Sequence, residues 1–367
     1  MNGVKIGVLG ASGDIGRNIV AALLRAPDDP AGLSELRLAA RRPDAITLPA
    51  GAGEAPSKTH IARSACDVRN HEDLARFADG LDVVVNATGP SHDRAVTMAS
   101  AVLAMGADYV DVGGPADTRC LPVVDTRGQT ALFHAGALPG ASGILPRWFL
   151  RRYPDTQRLT VIAGGRGIFT RTGAEDYLAG LEHGDVEPLA VWLDGRRVSR
   201  GAHRQEHAML DEFPDPVSLF PYLDADAEAI ARDSGISDGV WYSAMVGDGI
   251  VDTLMLATGM SLEAGSSWLH DASMAMAAGR RPYVVMLVEG ESGKVMLHAP
   301  SEGVLAAEVA AAAAFEVLGG RVPAGSASAA GVLDADRVLT VLTQPGAACT
   351  LVTTQDPAAD IMEEGAL

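Results

Sequence analysis

The sequence predicts an α/β protein: a doubly wound parallel sheet at the N-terminus, then a second α/β domain with a mixed or antiparallel sheet. Three observations carry this. Strand-like and helix-like segments alternate over the first 150 residues. A glycine-rich turn follows the first apolar run at once. Beyond residue 280, two apolar runs flank a glycine turn, the signature of an antiparallel hairpin.

The first strand is the run Val4-Lys5-Ile6-Gly7-Val8-Leu9. It passes into Gly10-Ala11-Ser12-Gly13-Asp14-Ile15-Gly16, and a helix-like segment follows over 18–24. The glycines have three separate uses. Gly10 lets the chain turn sharply off the strand. Gly13 lets backbone approach a pyrophosphate with no Cβ in the way. Gly16 lets the helix pack close to the sheet. The helix start adds unpaired N–H groups and a partial positive charge, and Ser12 adds a hydroxyl donor. The expected ligand is a dinucleotide, held by Gly10, Ser12, Gly13, Asp14 and Ile15.

The second strand, 35–40, ends in Arg41-Arg42-Pro43. An acidic residue there would hold a ribose 2′-hydroxyl, whereas arginine suits a 2′-phosphate, so the expected cofactor is NADP(H). The third strand, 59–66, leads to Asp67-Val68, placed to border the adenine. A polar helix follows over 70–78. The valines of 81–87 mark a buried strand, and Ala87-Thr88-Gly89-Pro90 at its end is expected beneath the nicotinamide ribose. A helix over 95–105 is stopped by Gly106. A short strand, 109–112, ends in Gly113-Gly114-Pro115, with Gly113 expected against the cofactor. The strand 130–134 is followed by Gly136 and Pro139-Gly140. In open parallel sheets ligands lie outside the carboxyl ends of the strands, where all these segments fall.

After about residue 150 the pattern changes. A strand over 159–163 and a short helix over 174–181 precede a polar stretch, 194–238, interrupted by prolines. The hairpin strands are 283–288 and 294–297, around Glu289-Gly290-Glu291-Ser292-Gly293. An alanine-rich helix over 305–318 ends at Gly319-Gly320. The expected division is 1–150 for the dinucleotide and 151–320 for substrate and dimerisation. The polar tail, 356–367, is expected to be loosely held.

Composition narrows the class. With 367 residues, 47% of them hydrophobic, the chain can form two sizeable cores of a soluble globular protein. A net charge of −18 argues against a nucleic-acid surface. Three cysteines (Cys66, Cys120, Cys349) are too few and too scattered for a disulfide framework or a zinc site, which fits a reducing cytoplasm. The first strand begins at Val4, leaving no room for a signal peptide, and no stretch of eighteen apolar residues exists to span a membrane.

Candidates for proton handling are His134, at the carboxyl end of a core strand, and Tyr177, Tyr242 and Asp111. Trp241 beside Tyr242 would wall a pocket or fill the core. Arg196, Arg197, Arg200 and Arg204 suit a carboxylate, or form a solvated loop offset by Asp194 and Glu206. Arg166 and Arg171 lie nearer the second-domain strand end, and Arg171 is preferred for a substrate carboxylate. His203-Arg204-Gln205-Glu206-His207 matches H-x-x-E-H, but the segment lacks helical periodicity and a third ligand, so no metal is expected. Neither Gly10-Ala11-Ser12-Gly13 nor Gly140-Ala141-Ser142-Gly143 has the G-x-S-x-G spacing of a nucleophile elbow.

With these residues in hand, the chain resembles the saccharopine dehydrogenase-like reductases. The resemblance rests on Gly10-Ala11-Ser12-Gly13-Asp14-Ile15-Gly16-Arg17, on Asp82-Val83-Val84-Val85-Asn86-Ala87-Thr88-Gly89-Pro90, and on Ala107-Asp108-Tyr109-Val110-Asp111-Val112-Gly113. Pro139-Gly140 with Leu145-Pro146, and Thr172-Gly173-Ala174 with Asp176-Tyr177-Leu178, also fit. It implies an N-terminal Rossmann domain, a second α/β domain for substrate, and NAD(P)-linked chemistry at a carbon bearing nitrogen. It also implies that 321–367 returns to the Rossmann domain and that the protein is a homodimer through the second-domain sheet. The expected enzyme is an NADP-dependent oxidoreductase reducing an imine or amino-acid-like carbonyl compound. An NADP-binding sensor or scaffold without turnover is the alternative left open.

Overall fold

The computed structural model describes residues 3–25, 32–49, 59–115, 128–182 and 186–355. Cys120 and the tail 356–367 lie outside the described residues. The chain divides into two compact units, 1–141 with 303–348, and 142–302 with 349–367.

The first unit is built on a seven-stranded sheet, parallel throughout. The order is Gly325–Ser328, Thr130–Phe133, Asp108–Asp111, Val83–Asn86, Val4–Leu9, Leu33–Ala40 and His60–Ala65. The chain runs outward from Val4–Leu9 in one direction, then crosses to Val83–Asn86 and runs outward in the other. The carboxyl ends of these two central strands therefore form the switch point at which such sheets open a crevice. Both strands are apolar because both sheet faces are covered: Ile6, Val8, Leu9, Val83, Val84 and Val85 are all fully buried.

The helices Asp14–Arg25, His71–Ala78 and Ala95–Leu103 follow the first, third and fourth strands in chain order. Asn70 caps the second of these, its side chain accepting from the N–H groups of Glu72 and Asp73. The helix Glu302–Leu318 is longer than expected and buries nearly its whole length. Its alanines allow close approach, and of its two buried acids Glu308 meets Arg25 at 2.5 Å and Glu316 meets Arg321 at 2.9 Å.

In the second unit the sheet is mixed. Arg158–Arg166 runs parallel to Asp238–Met245 and antiparallel to Tyr283–Gly290. The hairpin forms as expected, Tyr283–Gly290 pairing with Gly293–Ala299 in register from Val284↔Ala299 to Gly290↔Gly293. Thr350–Gln355 adds a further antiparallel strand beside Gly293–Ala299. One face packs Ile162, Leu219, Ala244, Val285 and Leu287 around Phe213. Another core joins Met245 to Ala174, Leu178, Ile250, Leu254 and Leu269 of the helices Arg171–Glu182, Asp248–Ala257 and Leu262–Ala277.

The polar stretch 194–238 is more ordered than expected. It holds the strands Arg196–Val198, Gln205–Ala208 and Val217–Leu223 and the helix Ala225–Ser234. Its prolines hid this. Pro221 sits inside Val217–Leu223, and Asp224 immediately caps the helix by accepting from the Ala227 N–H at 2.7 Å. The helix Ala141–Arg152 also escapes a sequence reading, because Gly143 and Pro146 lie within it. No described helix is long and apolar enough to cross a membrane.

Candidate functional site

The three glycines differ in what surrounds them. Gly10 has φ +79°, and a Cβ there would lie 2.9 Å from the Ala87 carbonyl oxygen, so only glycine both turns and clears the neighbouring strand end. A Cβ at Gly16 would lie 2.1 Å from the Gly10 carbonyl oxygen, which sets how closely the helix approaches the turn. Gly13 is exposed, and a Cβ there would meet only the Gly10 carbonyl oxygen, at 3.2 Å. The space above Gly13 is a cradle that a side chain would fill, next to the start of Asp14–Arg25. A pyrophosphate fits this arrangement: open backbone, a helix N-terminus and the half-buried Ser12 side by side. Asp14 lies in the first helical turn, where its carboxylate meets Arg17 at 3.7 Å, and Ile15 is half-buried behind it.

Arg41 and Arg42 stand exposed beyond the end of Leu33–Ala40. Neither guanidinium makes a hydrogen bond or salt bridge to another described residue, so both are available to an anion. Asp67, at the end of the next strand, is bound by Arg69 at 2.6 Å. That hydrogen bond, with Arg41 nearby, holds the Asp67 carboxyl well below its usual range. Val68 packs against the core cluster that contains Leu74 and Phe77.

At the ends of Val83–Asn86 and Asp108–Asp111 lies a buried polar network; the sequence named Asp111, Thr88 and Gly113 singly, but not Asn86 and Tyr109 or the bonds that join them. The Asp111 carboxylate accepts from Asn86 Nδ2 at 3.0 Å, from the Tyr109 hydroxyl at 2.5 Å and from the Gly113 N–H at 2.9 Å. Asn86 Oδ1 in turn accepts from the Thr88 N–H at 3.0 Å and from the Thr88 hydroxyl at 2.7 Å. One chain of bonds thus fixes both strand-end loops, 87–90 and 113–115. Burial, reinforced by the Asp111 charge, pushes the Tyr109 hydroxyl far above its ordinary value, so it stays a donor. The signal in the sequence was Asn86, a polar residue closing a run of valines.

His134 joins the same region. It is buried with φ +59°, its N–H donates to the Gly113 carbonyl at 2.5 Å, and its Nε2 lies 3.2 Å from the Pro115 carbonyl oxygen. The imidazole packs against Gly114, where a Cβ would stand 2.5 Å from the ring. Ser91 lies under Gly113 in the same way, its Oγ 2.4 Å from where a Cβ would be. Asp111, Gly113 and His134 are therefore brought together.

Tyr177, Tyr242, Trp241 and Arg171 belong to the second unit. Tyr177 packs edge-on against Phe169, and burial pushes its hydroxyl up to about 12, a hydrogen bond from Ser243 opposing. Tyr242 is half-buried, 3.3 Å from Gln205 Nε2. Trp241 is only 2% exposed and packs the interior beside Gly239. Arg171 is exposed at the start of Arg171–Glu182. Arg166 pairs with Asp215, and its guanidinium stacks over Tyr283 at 5.6 Å. In the basic cluster, Arg197 is held between Glu187 and Glu228, and Arg204 pairs with Glu206. His207 lies on a strand at φ +51°, so His203 and His207 lack the helical spacing a shared metal needs. Among the described residues no group of three potential ligands converges.

Comparison with known proteins bears on the first unit. Residues 6–131 match the family model of the saccharopine dehydrogenase NADP binding domain, which bears out the resemblance over that stretch. Among solved structures, apo histidine-tagged saccharopine dehydrogenase (L-Glu forming) from Saccharomyces cerevisiae aligns over 96% of this chain and 100% of its own, with TM-score 0.58 and 13% identity. At that identity the likeness is one of fold. An oxidoreductase domain protein from Kribbella flavida aligns over 97% of this chain and 100% of its own, with TM-score 0.44 and 13% identity. No curated protein sequence matches.

Proposed function

We propose, from the match of residues 6–131 to the NADP binding domain of saccharopine dehydrogenases, that this chain is an NADP-dependent oxidoreductase reducing an imine or amino-acid-like carbonyl compound. The observation that carries the cofactor is the open cradle at Gly13, between a turn that only glycine can make and the N-terminus of Asp14–Arg25. Gly10, Ser12, Gly13, Asp14 and Ile15 would hold the pyrophosphate. Arg41 and Arg42, neither held by a hydrogen bond or salt bridge among the described residues, favour a 2′-phosphate and hence NADP. Asp67 and Val68 would border the adenine, and Ala87, Thr88, Gly89, Pro90 and Gly113 the nicotinamide ribose. The chemistry supplied there, when NADPH is bound, is a hydride.

The protein's part is positioning and a proton. Asp111, accepting from three donors, orients the two strand-end loops rather than donating a proton. His134 is our candidate for protonating the substrate nitrogen or oxygen, since its ring lies against Gly114, in the strand-end loop that begins at Gly113. Tyr177, with its hydroxyl raised to about 12, is a weaker acid near neutral pH. Tyr242 remains a candidate, and Arg171 is proposed for a substrate carboxylate, whereas Trp241, buried beside Gly239, fills the core.

The test is NADPH oxidation, followed at the nicotinamide absorbance, against a panel of imines and of keto acids with amines. Turnover that falls at least tenfold in His134→Gln supports the proposal. Tight NADPH binding with no turnover on any member would favour a sensor instead.

A further inference from the structure

The turn after His60–Ala65 holds an arginine that the proposed function leaves unused. Cys66 extends the strand by one residue, its N–H donating to the Ala40 carbonyl at 3.1 Å. Asp67-Val68-Arg69 therefore leaves the sheet beside Arg41-Arg42. The Asn70 N–H donates to the Asp67 carbonyl at 2.8 Å and closes the turn. Within it Arg69 folds back on Asp67. Its Nε donates to Asp67 Oδ1 at 2.9 Å, its Nη2 donates to Oδ2 at 2.6 Å, and its backbone N–H donates to Oδ1 at 3.1 Å.

These bonds engage both oxygens of Asp67, so its carboxylate has little capacity left to accept from the amino edge of a base. They also fix the guanidinium. Parallel bonds to one carboxylate hold its plane, while the Arg69 side chain stays 60% exposed. An exposed pair contributes little to stability, so its main effect is on what the turn presents to solvent. That is a flat, preoriented cation whose charge its own partner balances. Arg41 and Arg42 differ, since no hydrogen bond or salt bridge to a described residue holds either of them. Unbalanced arginines suit a phosphate. A balanced, weakly hydrated guanidinium suits the neutral face of an aromatic ring.

We propose that Arg69, held by Asp67, is the stacking platform for the adenine, so that this chain reads the base by its face and not by its amino edge. The inference rests on the dinucleotide reading of the first unit and assigns the base to a residue outside the glycine turn. It carries a specificity. A dinucleotide whose purine lacks the amino group, as hypoxanthine does, is accepted as readily as one with adenine. The contribution of Arg69 is also the same with or without a 2′-phosphate.

The experiment is fluorescence titration of the full chain with NADPH, NADH, reduced nicotinamide mononucleotide and the hypoxanthine analogue of NADPH, with thermal melts to verify folding. Arg69→Ala is expected to raise the dissociation constants of NADPH and NADH alike by about tenfold, the scale of one lost base-stacking contact. The mononucleotide, which has no adenine, should bind as before. Arg69→Lys keeps the charge but not the plane, and is expected to lose as much as Arg69→Ala. The wild-type chain should bind the hypoxanthine analogue within about threefold of NADPH. A loss confined to NADPH, or affinity retained in Arg69→Lys, would assign Arg69 to the 2′-phosphate and overturn the proposal. A hypoxanthine analogue weaker than NADPH by about tenfold would overturn it in favour of the amino edge. If the wild-type chain binds neither dinucleotide, the dinucleotide reading fails and this inference with it. If the wild type binds both and Arg69→Ala changes nothing, only this inference falls.

Discussion

Gly13 and Gly16 lie three residues apart in one turn, yet substitution should separate binding from stability. In Gly16→Ala the new Cβ meets the Gly10 carbonyl oxygen at 2.1 Å, and neither the Cβ, fixed to the helix backbone, nor the backbone carbonyl can rotate away. The helix or the turn must move by roughly 1 Å, and overpacking of this kind costs about 1–3 kcal/mol. For a unit of this size that lowers Tm by several degrees, at about 2–4 °C per kcal/mol. In Gly13→Ala the added carbon meets one carbonyl oxygen at 3.2 Å and otherwise open space, at a backbone conformation alanine tolerates. Stability should stay within about 1 kcal/mol of wild type. The methyl group would occupy the cradle, however, and NADPH affinity should fall at least tenfold, about 1.4 kcal/mol. Fluorescence titration with NADPH, paired with a thermal melt of each variant, reads both quantities. A Gly13→Ala protein that binds NADPH as tightly as wild type would refute the placement of the pyrophosphate, whatever Gly16→Ala does.

Replacing Arg41 and Arg42 together by alanine should weaken NADPH about tenfold more than NADH, since only NADPH carries the 2′-phosphate; equal losses in titrations of both cofactors would remove the case for NADP. Tyr109→Phe removes a 2.5 Å bond to the Asp111 carboxylate and should cost about 1.5–3 kcal/mol in urea unfolding, while an unchanged midpoint would show that the network does not hold the loops. Burial, with Asp73 and Asp67 nearby, pushes the Cys66 thiol up to about 12. The unfolded thiol ionises near 9.0, so the fold binds this proton more tightly, and stability should fall as pH rises from about 9 toward 12. A Cys66→Ala variant should show a shallower alkaline decline in Tm, and an identical decline would assign the effect elsewhere. Arg25→Ala leaves Glu308 buried and unpaired, and should cost about 2–4 kcal/mol by chemical denaturation, below the fully buried case because Arg25 is partly exposed; a cost near zero would mean that Glu308 is neutral in the fold.

Legibility in the sequence followed how local each signal was. The parallel sheet was readable because its central strands carry their own apolar runs, as in Val4–Leu9 and Val83–Asn86, and glycines mark the turns that follow them. The glycines at 10, 13 and 16 were readable for the same reason, and the match of residues 6–131 to the NADP binding domain bears out the family resemblance. Gly325–Ser328 was not readable. Its sequence, Gly-Ser-Ala-Ser, has no apolar alternation and becomes a strand only by pairing with Thr130–Phe133. The helices Asp248–Ala257 and Leu262–Ala277 were obscured because exposed Met255, Leu256, Trp268 and Met274 stand among their outward polar residues and blur the amphipathic period. The buried network around Asp111 was half visible, as Asn86 and Asp111 stand at strand ends. Their partnership depends on two strands lying side by side in one register, Asn86 opposite Asp111, which no single segment encodes.

The most direct test of the central claim is a titration of the wild-type chain with NADPH and with NADH under the same conditions. The expected result is saturable binding of both, with NADPH tighter by about tenfold or more, as two arginines at a 2′-phosphate require. Binding of neither dinucleotide, or a clear preference for NADH, would contradict it.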